Sequence, residues 1–163
     1  MKSRGTSFLD SINGHYLVGM KDVTADGHCG FRAVAGLLDF WEDLYSRVRC
    51  DLSHHLGMHQ AFYKHVFVEK RGVKDTLKAL HCFEPVAPYS NWFTLPDMGH
   101  LVASTYNVAL VVFSPEMSLT YLPLQTGIPA SPKVICMSLI NQSHFVQVTL
   151  KYLFLNHTCI SIS

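Results

Sequence analysis

The chain has 163 residues, of which 48% are hydrophobic and 15% are charged, and its formal net charge is +1. This composition fits a chain that folds around an apolar core and excludes an intrinsically disordered segment. The near-zero net charge and the absence of Lys/Arg runs exclude an evident nucleic-acid or anionic-membrane partner. We therefore expect one globular domain over residues 1–163, with its core at residues 15–150, and a monomer.

The predicted elements begin with helices and end with strands. An irregular lead-in containing a short helix at 7–12 precedes an extended piece at 15–23. Helices are predicted at 30–40, 41–56, 73–82 and 95–106, with Gly57 ending the second and Asn107 the last, while 59–68 is helical or irregular. Strands are predicted at 108–113, 118–122, 134–140, 145–151 and 152–162. This order predicts an α+β fold with a small, mostly antiparallel sheet flanked by helices.

The cysteine content and the first residues indicate a compartment. Five cysteines without regular spacing predict free thiols in a reducing environment, and Cys50, Cys82 and Cys136 are interpreted as core residues. Residues 1–10 are polar and charged and lack the apolar stretch of a secretory signal. The longest apolar runs, such as 108–113, are too short to span a bilayer. We expect a cytoplasmic protein, or one delivered to a host cytosol, without a membrane partner.

The stretch at residues 26–33, Asp-Gly-His-Cys-Gly-Phe-Arg-Ala, carries the strongest chemical signal. Cys29 follows a turn and opens an apolar helical pattern at 31–40, so its thiol is predicted at a helix N-terminus. Unpaired backbone N–H groups and the helix dipole favour thiolate there, and the thiolate is the nucleophile. Gly27 and Gly30 allow a tight turn and leave space beside the sulfur. The alternative is a buried structural thiol, which is common for free cysteine.

A general base for such a thiol is expected far away in sequence but close in the fold. His144 fits, because residues 139–148 form an apolar strand, a polar step and an alternating strand, with His144 at the corner of the hairpin. A Cys on a helix and a late His on a strand form a Cys–His nucleophile arrangement. Because the chain has ten histidines, the alternative is an ordinary turn residue.

The motif D-G-x-C-x-F-R-A, followed by a late strand-borne His-Phe, resembles the signature of the ovarian-tumour (OTU) family of cysteine proteases. The middle of the chain is also similar to that family, with a Trp-containing loop at 91–95, a helix at 97–107 and a strand at 108–113. The resemblance covers roughly residues 15–150 and implies an OTU-like fold. It further implies a deubiquitinase that cleaves after the C-terminal glycine of ubiquitin or a ubiquitin-like modifier.

The resemblance assigns roles residue by residue. Cys29 is the implied nucleophile and His144 the general base. Asp26 is implied to fix the turn whose backbone N–H groups, at 26–29, form the oxyanion hole; alone, it would be an ordinary turn residue that caps the helix. Gly30 and Trp92 are the candidate substrate-binding walls of a narrow channel, although Trp92 could instead be a loop aromatic packed on the core.

The third member of the catalytic set departs from the family pattern. The position two residues after His144 is Val146, which cannot accept a hydrogen bond from the imidazole. Asn141, three residues before His144, is one substitute as the residue that orients the ring, although it could be a plain turn residue. Asp22 is another substitute. A Cys–His dyad, with the ring held by a backbone carbonyl, is the third possibility.

Other functions are also compatible with the sequence. The missing orienting residue leaves open an OTU-like module that binds ubiquitin or another protein without turnover, and viruses use OTU-like proteases on polyproteins. His54, His55 and His59 lack the accompanying residues of a zinc site, so we predict no metal and no cofactor.

Overall fold

The structure is a computed structural model that describes residues 17–67, 71–155 and 158–161. The short helix predicted at 7–12 lies outside these residues. Five α-helices are described: α1 (Cys29–Leu37), α2 (Tyr45–Met58), α3 (Gln60–Val66), α4 (Gly72–Leu80) and α5 (Asp97–Tyr106). Short 3-10 turns at Glu42–Leu44 and Tyr89–Asn91 precede α2 and α5. None of the helices in this part of the chain is long and apolar enough to cross a membrane.

Two predicted helix ends are instructive. Asn107 ends α5, as predicted, and the structure shows that it does so in the left-handed conformation, with φ of 52°. Gly57 does not end α2, which continues to Met58, so that prediction was wrong. The reason is that a Cβ at Gly57 would meet nothing within 4 Å and its φ is not positive, so no turn geometry requires glycine there.

The strands form one main sheet and one hairpin. The main sheet contains β1 (Leu17–Lys21), β2 (Ala109–Phe113), β3 (Leu119–Tyr121), β4 (Val134–Ile140) and β5 (His144–Leu150), in the order β1-β5-β4-β2-β3. The β2–β4 pair is parallel and the other three pairs are antiparallel. The last predicted strand, 152–162, is instead two paired strands, β6 (Tyr152–Leu155) and β7 (Thr158–Ser161). The predicted α+β class with a mostly antiparallel sheet is confirmed.

The helices pack on one face of the main sheet. Their apolar side chains share one core with the residues of β4 and β5 that point toward them, such as Met137 and Phe145. Residues on the other face of the sheet, such as Cys136, form a second buried cluster. Cys82 is also buried, but Cys50 is exposed on α2, so its interpretation as a core residue was wrong. It lies outside the buried stripe of that helix, which includes Val48, Leu52 and Leu56.

The strand register brings three distant segments together. His144 is the first residue of β5 and pairs with Ile140 across the β4–β5 hairpin. On the other side of β5, Lys21 of β1 pairs with Gln147. The next residue of the chain, Asp22, therefore lies beside the start of β5. Since α1 packs on β5, the N-terminal end of that helix faces the same region.

Candidate active site

Cys29 is the first residue of α1, as the sequence predicted, and a tight turn leads into it. Gly27 in this turn has φ of 83°, a conformation that disfavours any side chain. A Cβ at Gly27 would lie 2.4 Å from the Ala87 oxygen and 2.8 Å from Trp92 Nε1. Glycine is therefore required both by the backbone and by the loop packed against it.

Asp26 fixes this turn through two sets of bonds. Its Oδ1 accepts the His28 backbone N–H at 3.0 Å, and its Oδ2 accepts Arg32 Nη2 at 2.8 Å. The Arg32 side chain also donates to Asp43 at 3.0 Å. Burial by itself raises the pKa of Asp26, but the hydrogen bonds from Arg32 and His28 and the Arg32 charge outweigh it and hold that pKa below its ordinary value. The carboxylate thus ties the turn to the first turns of α1.

The Cys29 thiol is buried, with 7% of its surface exposed, and lies against the backbone at the start of β5. Its Sγ lies 3.9 Å from the Ser143 carbonyl oxygen. Burial raises the pKa of this thiol; the backbone N–H groups of Phe145, Gly30 and Cys29 itself lower it, but by less. The helix N-terminus was expected to favour thiolate; burial acts on the thiol pKa in the opposite direction and is the larger effect.

His144 is held by Asp22. Its Nε2 lies 2.7 Å from Asp22 Oδ1, and the His144 side chain is 18% exposed. The hydrogen bond to His144 lowers the pKa of Asp22, so the carboxylate is ionised at neutral pH. Asn141 is an exposed turn residue with φ of 51°, and no hydrogen bond joins it to the imidazole within the described residues. Of the two candidates from the sequence, the geometry therefore selects Asp22 over Asn141.

The Cys29 thiol lies near the backbone of the two residues that flank His144 in the sequence. The Ser143 carbonyl and the Phe145 N–H, on either side of His144, both face Cys29. Nε2 of the His144 ring is bonded to Asp22, and this bond does not occupy Nδ1. Val146, at the family's usual orienting position, is buried and pairs with Ser138 in the sheet.

The turn offers fewer free N–H groups than the sequence suggested. The His28 N–H is already bonded to the Asp26 carboxylate, so it is not free to hold an oxyanion. The Cys29 N–H, on the same residue as the reacting sulfur, remains a candidate oxyanion donor. Of the predicted oxyanion hole at 26–29, the His28 N–H is therefore already engaged.

A cleft of about 340 Å³ lies beside the Ser143 carbonyl that contacts the thiol. Aromatic rings and the β4–β5 turn line it, including Tyr89, Trp92, Phe93 and Phe145. Trp92 donates its indole N–H to the Ala87 carbonyl at 3.1 Å and packs on Tyr89 at 5.0 Å. Trp92 thus lines this cleft, so a molecule bound in the cleft would touch it.

Gly30 has a different place from the one expected of a channel wall. It is buried, and a Cβ there would lie 2.4 Å from Phe93 Cβ and 3.2 Å from Phe145 Cδ2. Phe93 in turn packs edge-on against both Phe31 and Phe145, at centroid distances of 5.2 and 5.3 Å. Gly30 therefore lets Phe93 approach α1 and positions a ring of the cleft without lining it.

Sequence reasoning missed Arg32, His28 and Arg49 as parts of this site. The sequence did give an indication for Arg32, because a single charged residue in the otherwise apolar helix Cys29–Leu37 implies that its side chain has a partner. His28 stands inside the recognised motif, but its complete burial is not visible there. Arg49 had no signal, because a basic residue on a long helix is usually solvated.

No protein-family model and no curated protein matches the chain. Solved structures do. The OTU domain of OTUD1 aligns with a TM-score of 0.60 at 17% identity, covering 79% of this chain and 83% of that domain. The Hazara virus OTU bound to ubiquitin aligns with a TM-score of 0.59 at 11% identity, covering 88% and 84%. An OTU deubiquitinase from Wolbachia pipientis wMel bound to ubiquitin aligns with a TM-score of 0.54 at 11% identity, covering 83% and 96%.

Likeness at such low identity concerns the backbone and its topology. The resemblance found in the sequence is confirmed at that level. The chain has the fold of OTU-domain deubiquitinases and proteases.

Proposed function

We propose that this protein is a cysteine protease that hydrolyses the bond after the C-terminal glycine of ubiquitin or a ubiquitin-like modifier. The observation that carries this proposal is the convergence of three distant segments. The Cys29 thiol lies against the backbone on both sides of His144, and Asp22 holds the far side of the imidazole. A nucleophile, a base and a group that orients the base are the parts that thiol proteolysis needs.

The first step is a proton transfer followed by attack. Because burial raises the pKa of Cys29, a standing thiolate is disfavoured, so His144 Nδ1 takes the thiol proton as Sγ attacks the carbonyl carbon. The imidazolium that forms is stabilised by the ionised Asp22 at Nε2. The Cys29 N–H donates to the oxygen that becomes negative.

The second step releases the products. The tetrahedral intermediate collapses, the C–N bond breaks, and His144 gives its proton to the leaving lysine or α-amine. His144 then removes a proton from water, the hydroxide attacks the thioester carbonyl, and the thiol leaves with the proton from His144. The carboxylate of the modifier and the free enzyme result.

The cleft provides a reason for glycine selectivity. Phe93 packs edge-on against Phe145 and both lie against Gly30, while Trp92 packs on Tyr89 and lies against Gly27. Walls fixed in this way leave little freedom to admit a large side chain in the cleft, so a flexible Gly-Gly tail is a segment that fits it.

Covalent capture by ubiquitin–propargylamide tests the proposal. The wild type is expected to form an adduct whose mass is the sum of protein and probe, with the modification on Cys29. Cys29→Ala should form none, and Cys50→Ala should react as the wild type does, because Cys50 is exposed on α2 away from the turn. Capture that persists in Cys29→Ala would contradict the proposal.

The main alternative is an OTU-like module that binds ubiquitin or another protein without turnover. The burial of the Cys29 thiol and its raised pKa favour this alternative. Reversible binding of ubiquitin, with neither capture nor cleavage of a panel of differently linked di-ubiquitins, would support it. A polyprotein-processing protease would instead cleave a peptide substrate and leave the di-ubiquitins intact.

A further inference from the structure

We propose that Arg49 is a positioning residue for Cys29: it fixes the His28 ring in one tautomer and thereby sets the peptide that carries the Cys29 N–H. This inference rests on the proposed function, because the positioning of Cys29 matters for catalysis only if Cys29 is the nucleophile. The geometry that supports it is independent of any substrate.

Arg49 is a buried cation whose hydrogen-bond partners among the described residues are all uncharged. Its residue surface is 1% exposed. Its Nε donates to His28 Nδ1 at 3.1 Å, its Nη1 to the Ala79 carbonyl at 3.0 Å and its Nη2 to the Asn91 carbonyl at 2.9 Å. The guanidinium also lies 3.8 Å from the centroid of the Phe31 ring. Burial lowers the pKa of Arg49 to about 10, so the side chain stays protonated at neutral pH.

These bonds decide the protonation of His28. Arginine can only donate, so His28 Nδ1 must be the unprotonated nitrogen. His28 Nε2 lies 2.9 Å from the Glu84 carbonyl and therefore carries the proton and donates it. Burial lowers the pKa of His28; the hydrogen bond to the Glu84 carbonyl opposes this, the Arg49 charge lowers the pKa, the Asp26 charge raises it and the Arg32 charge lowers it, with a net downward shift. The ring is neutral, and it packs on Tyr45 at a centroid distance of 4.2 Å.

The fixed ring clamps the residue next to the nucleophile. His28 is joined to Cys29 by the peptide that carries the Cys29 N–H, and its own carbonyl accepts the Arg32 N–H at 2.9 Å to begin α1. Arg49 connects this residue to the end of α4 and to the 3-10 turn before the cleft, through Ala79 and Asn91. Orientation of the His28–Cys29 peptide is therefore tied to three separate parts of the chain.

The chemistry of Arg49 argues for more than packing. Burying a cation without a carboxylate costs free energy, and apolar side chains often replace buried charges without loss of stability. An apolar residue at this position would fill the core, but it could not orient an imidazole. The demand for three donors in one fixed planar arrangement is what distinguishes arginine here.

The first test uses the unmodified protein. Long-range ¹H–¹⁵N correlation spectra report which nitrogen of each histidine carries the proton. We expect one ring, assigned to His28 by its loss in His28→Asn, to remain the neutral Nε2–H tautomer as the pH is lowered to about one unit below the ordinary histidine pKa of about 6.5. A His28 ring that is protonated on Nδ1, or that titrates as a solvent-exposed histidine does, would overturn the proposal.

The second test follows the thiol in variants. The rate at which iodoacetamide alkylates Cys29 is measured against pH by mass spectrometry, with the exposed Cys50 of the same molecule as the internal reference. Arg49→Met should change the Cys29 rate relative to Cys50 by at least about threefold, the effect of half a pKa unit. Arg47→Met removes a charge from the exposed side of the same helix and should leave the Cys29 rate unchanged.

The conservative variants separate position from charge. Arg49→Lys keeps the charge but not the three-way geometry, so it should behave like Arg49→Met; wild-type reactivity in Arg49→Lys would show that charge alone acts and would overturn the proposal. His28→Asn places an amide oxygen where Nδ1 accepts and should retain the wild-type rate. His28→Gln places an amide donor near Glu84 but loses the acceptor for Arg49 Nε. It should therefore show the same altered alkylation rate of Cys29 as Arg49→Met, and it can be measured even if the Arg49 variants fail to fold.

These readouts do not depend on catalysis. A protein that shows the expected tautomer and alkylation pattern but captures no ubiquitin probe would refute the proposed function and leave the positioning role standing. The opposite outcome is a protein that captures the probe while the alkylation rate of Cys29 is unchanged in folded Arg49→Met and His28→Gln. That result would support the proposed function and refute the positioning role of Arg49.

Discussion

Removal of the Asp22 carboxylate is the sharpest test of the site, because Asp22 reaches His144 from a strand and not from the family's usual position. A hydrogen bond to a charged partner contributes about 1.5–3 kcal/mol. The Asp22 side chain is 80% exposed, so water screens it and the lower limit applies. At about 1.4 kcal/mol for each factor of ten, we expect kcat of Asp22→Ala to fall about tenfold.

The assay is steady-state hydrolysis of ubiquitin–aminomethylcoumarin. KM should change little, since Asp22 touches the imidazole and not the cleft, whereas Asp22→Asn should lose less of kcat because an amide oxygen can still accept from Nε2. Asp22→Asn also keeps an acceptor for the Val23 N–H, which Asp22 binds at 2.8 Å. Asp75→Ala, which removes an exposed carboxylate on α4, is the matched control. A folded Asp22→Ala protein with wild-type kcat would refute the assignment of Asp22 as the orienting residue.

Other changes test the turn and the cleft. The pKa of Asp26 is lower in the folded protein than in the unfolded chain. The ionised side chain therefore stabilises the fold at pH values above its pKa in the unfolded chain, and this stabilisation is lost as the pH falls through its pKa in the folded protein. Asp26→Asn should therefore cost about 2 kcal/mol of unfolding free energy at neutral pH, and urea titrations should show the wild type, but not the variant, losing this difference below about pH 4. Gly27→Ala, with φ of 83° and a clash against a carbonyl, should cost about 2–4 kcal/mol in the same titration. Gly57→Ala, with open space around it, should raise the free energy of unfolding by about 0.5–1 kcal/mol. Equal effects of Gly27→Ala and Gly57→Ala on this free energy would refute the turn geometry. Trp92→Ala should lower kcat/KM about tenfold, mainly through KM, with Trp92→Phe retaining most of it; a pure kcat effect would contradict its placement in the cleft.

The sequence predicted what depends on local pattern. The tight turn before Cys29, the hairpin that begins β5 at His144 and the left-handed stop at Asn107 each follow from a few neighbouring residues. Val48, Leu52 and Leu56 of α2 are buried together because their fourfold spacing places them on one helical face.

The features that were missed depend on contacts between distant segments. Arg49 is buried because carbonyls at residues 79 and 91 meet its guanidinium, and neither is visible from the sequence of α2. The balance at the Cys29 thiol also depends on distant contacts: the helix N-terminus is local, but the burial that opposes its effect includes contact with the Ser143 carbonyl, 114 residues away. Asp22 could only be named as one of several candidates, since its selection required the β1–β5 register.

The placement of Asp22 after β1 gives the imidazole a dependence that a neighbouring residue on its own strand would not create. Among the described residues, β1 is an edge strand with one hydrogen-bonded neighbour, and edges fray at lower free energy than the interior. Local opening there is expected to withdraw the carboxylate while Cys29 and His144 keep their places on α1 and β5. In the proposed mechanism, the action of His144 as a base is thus coupled to the pairing of β1 with β5, and anything that separates these two strands is expected to lower the rate.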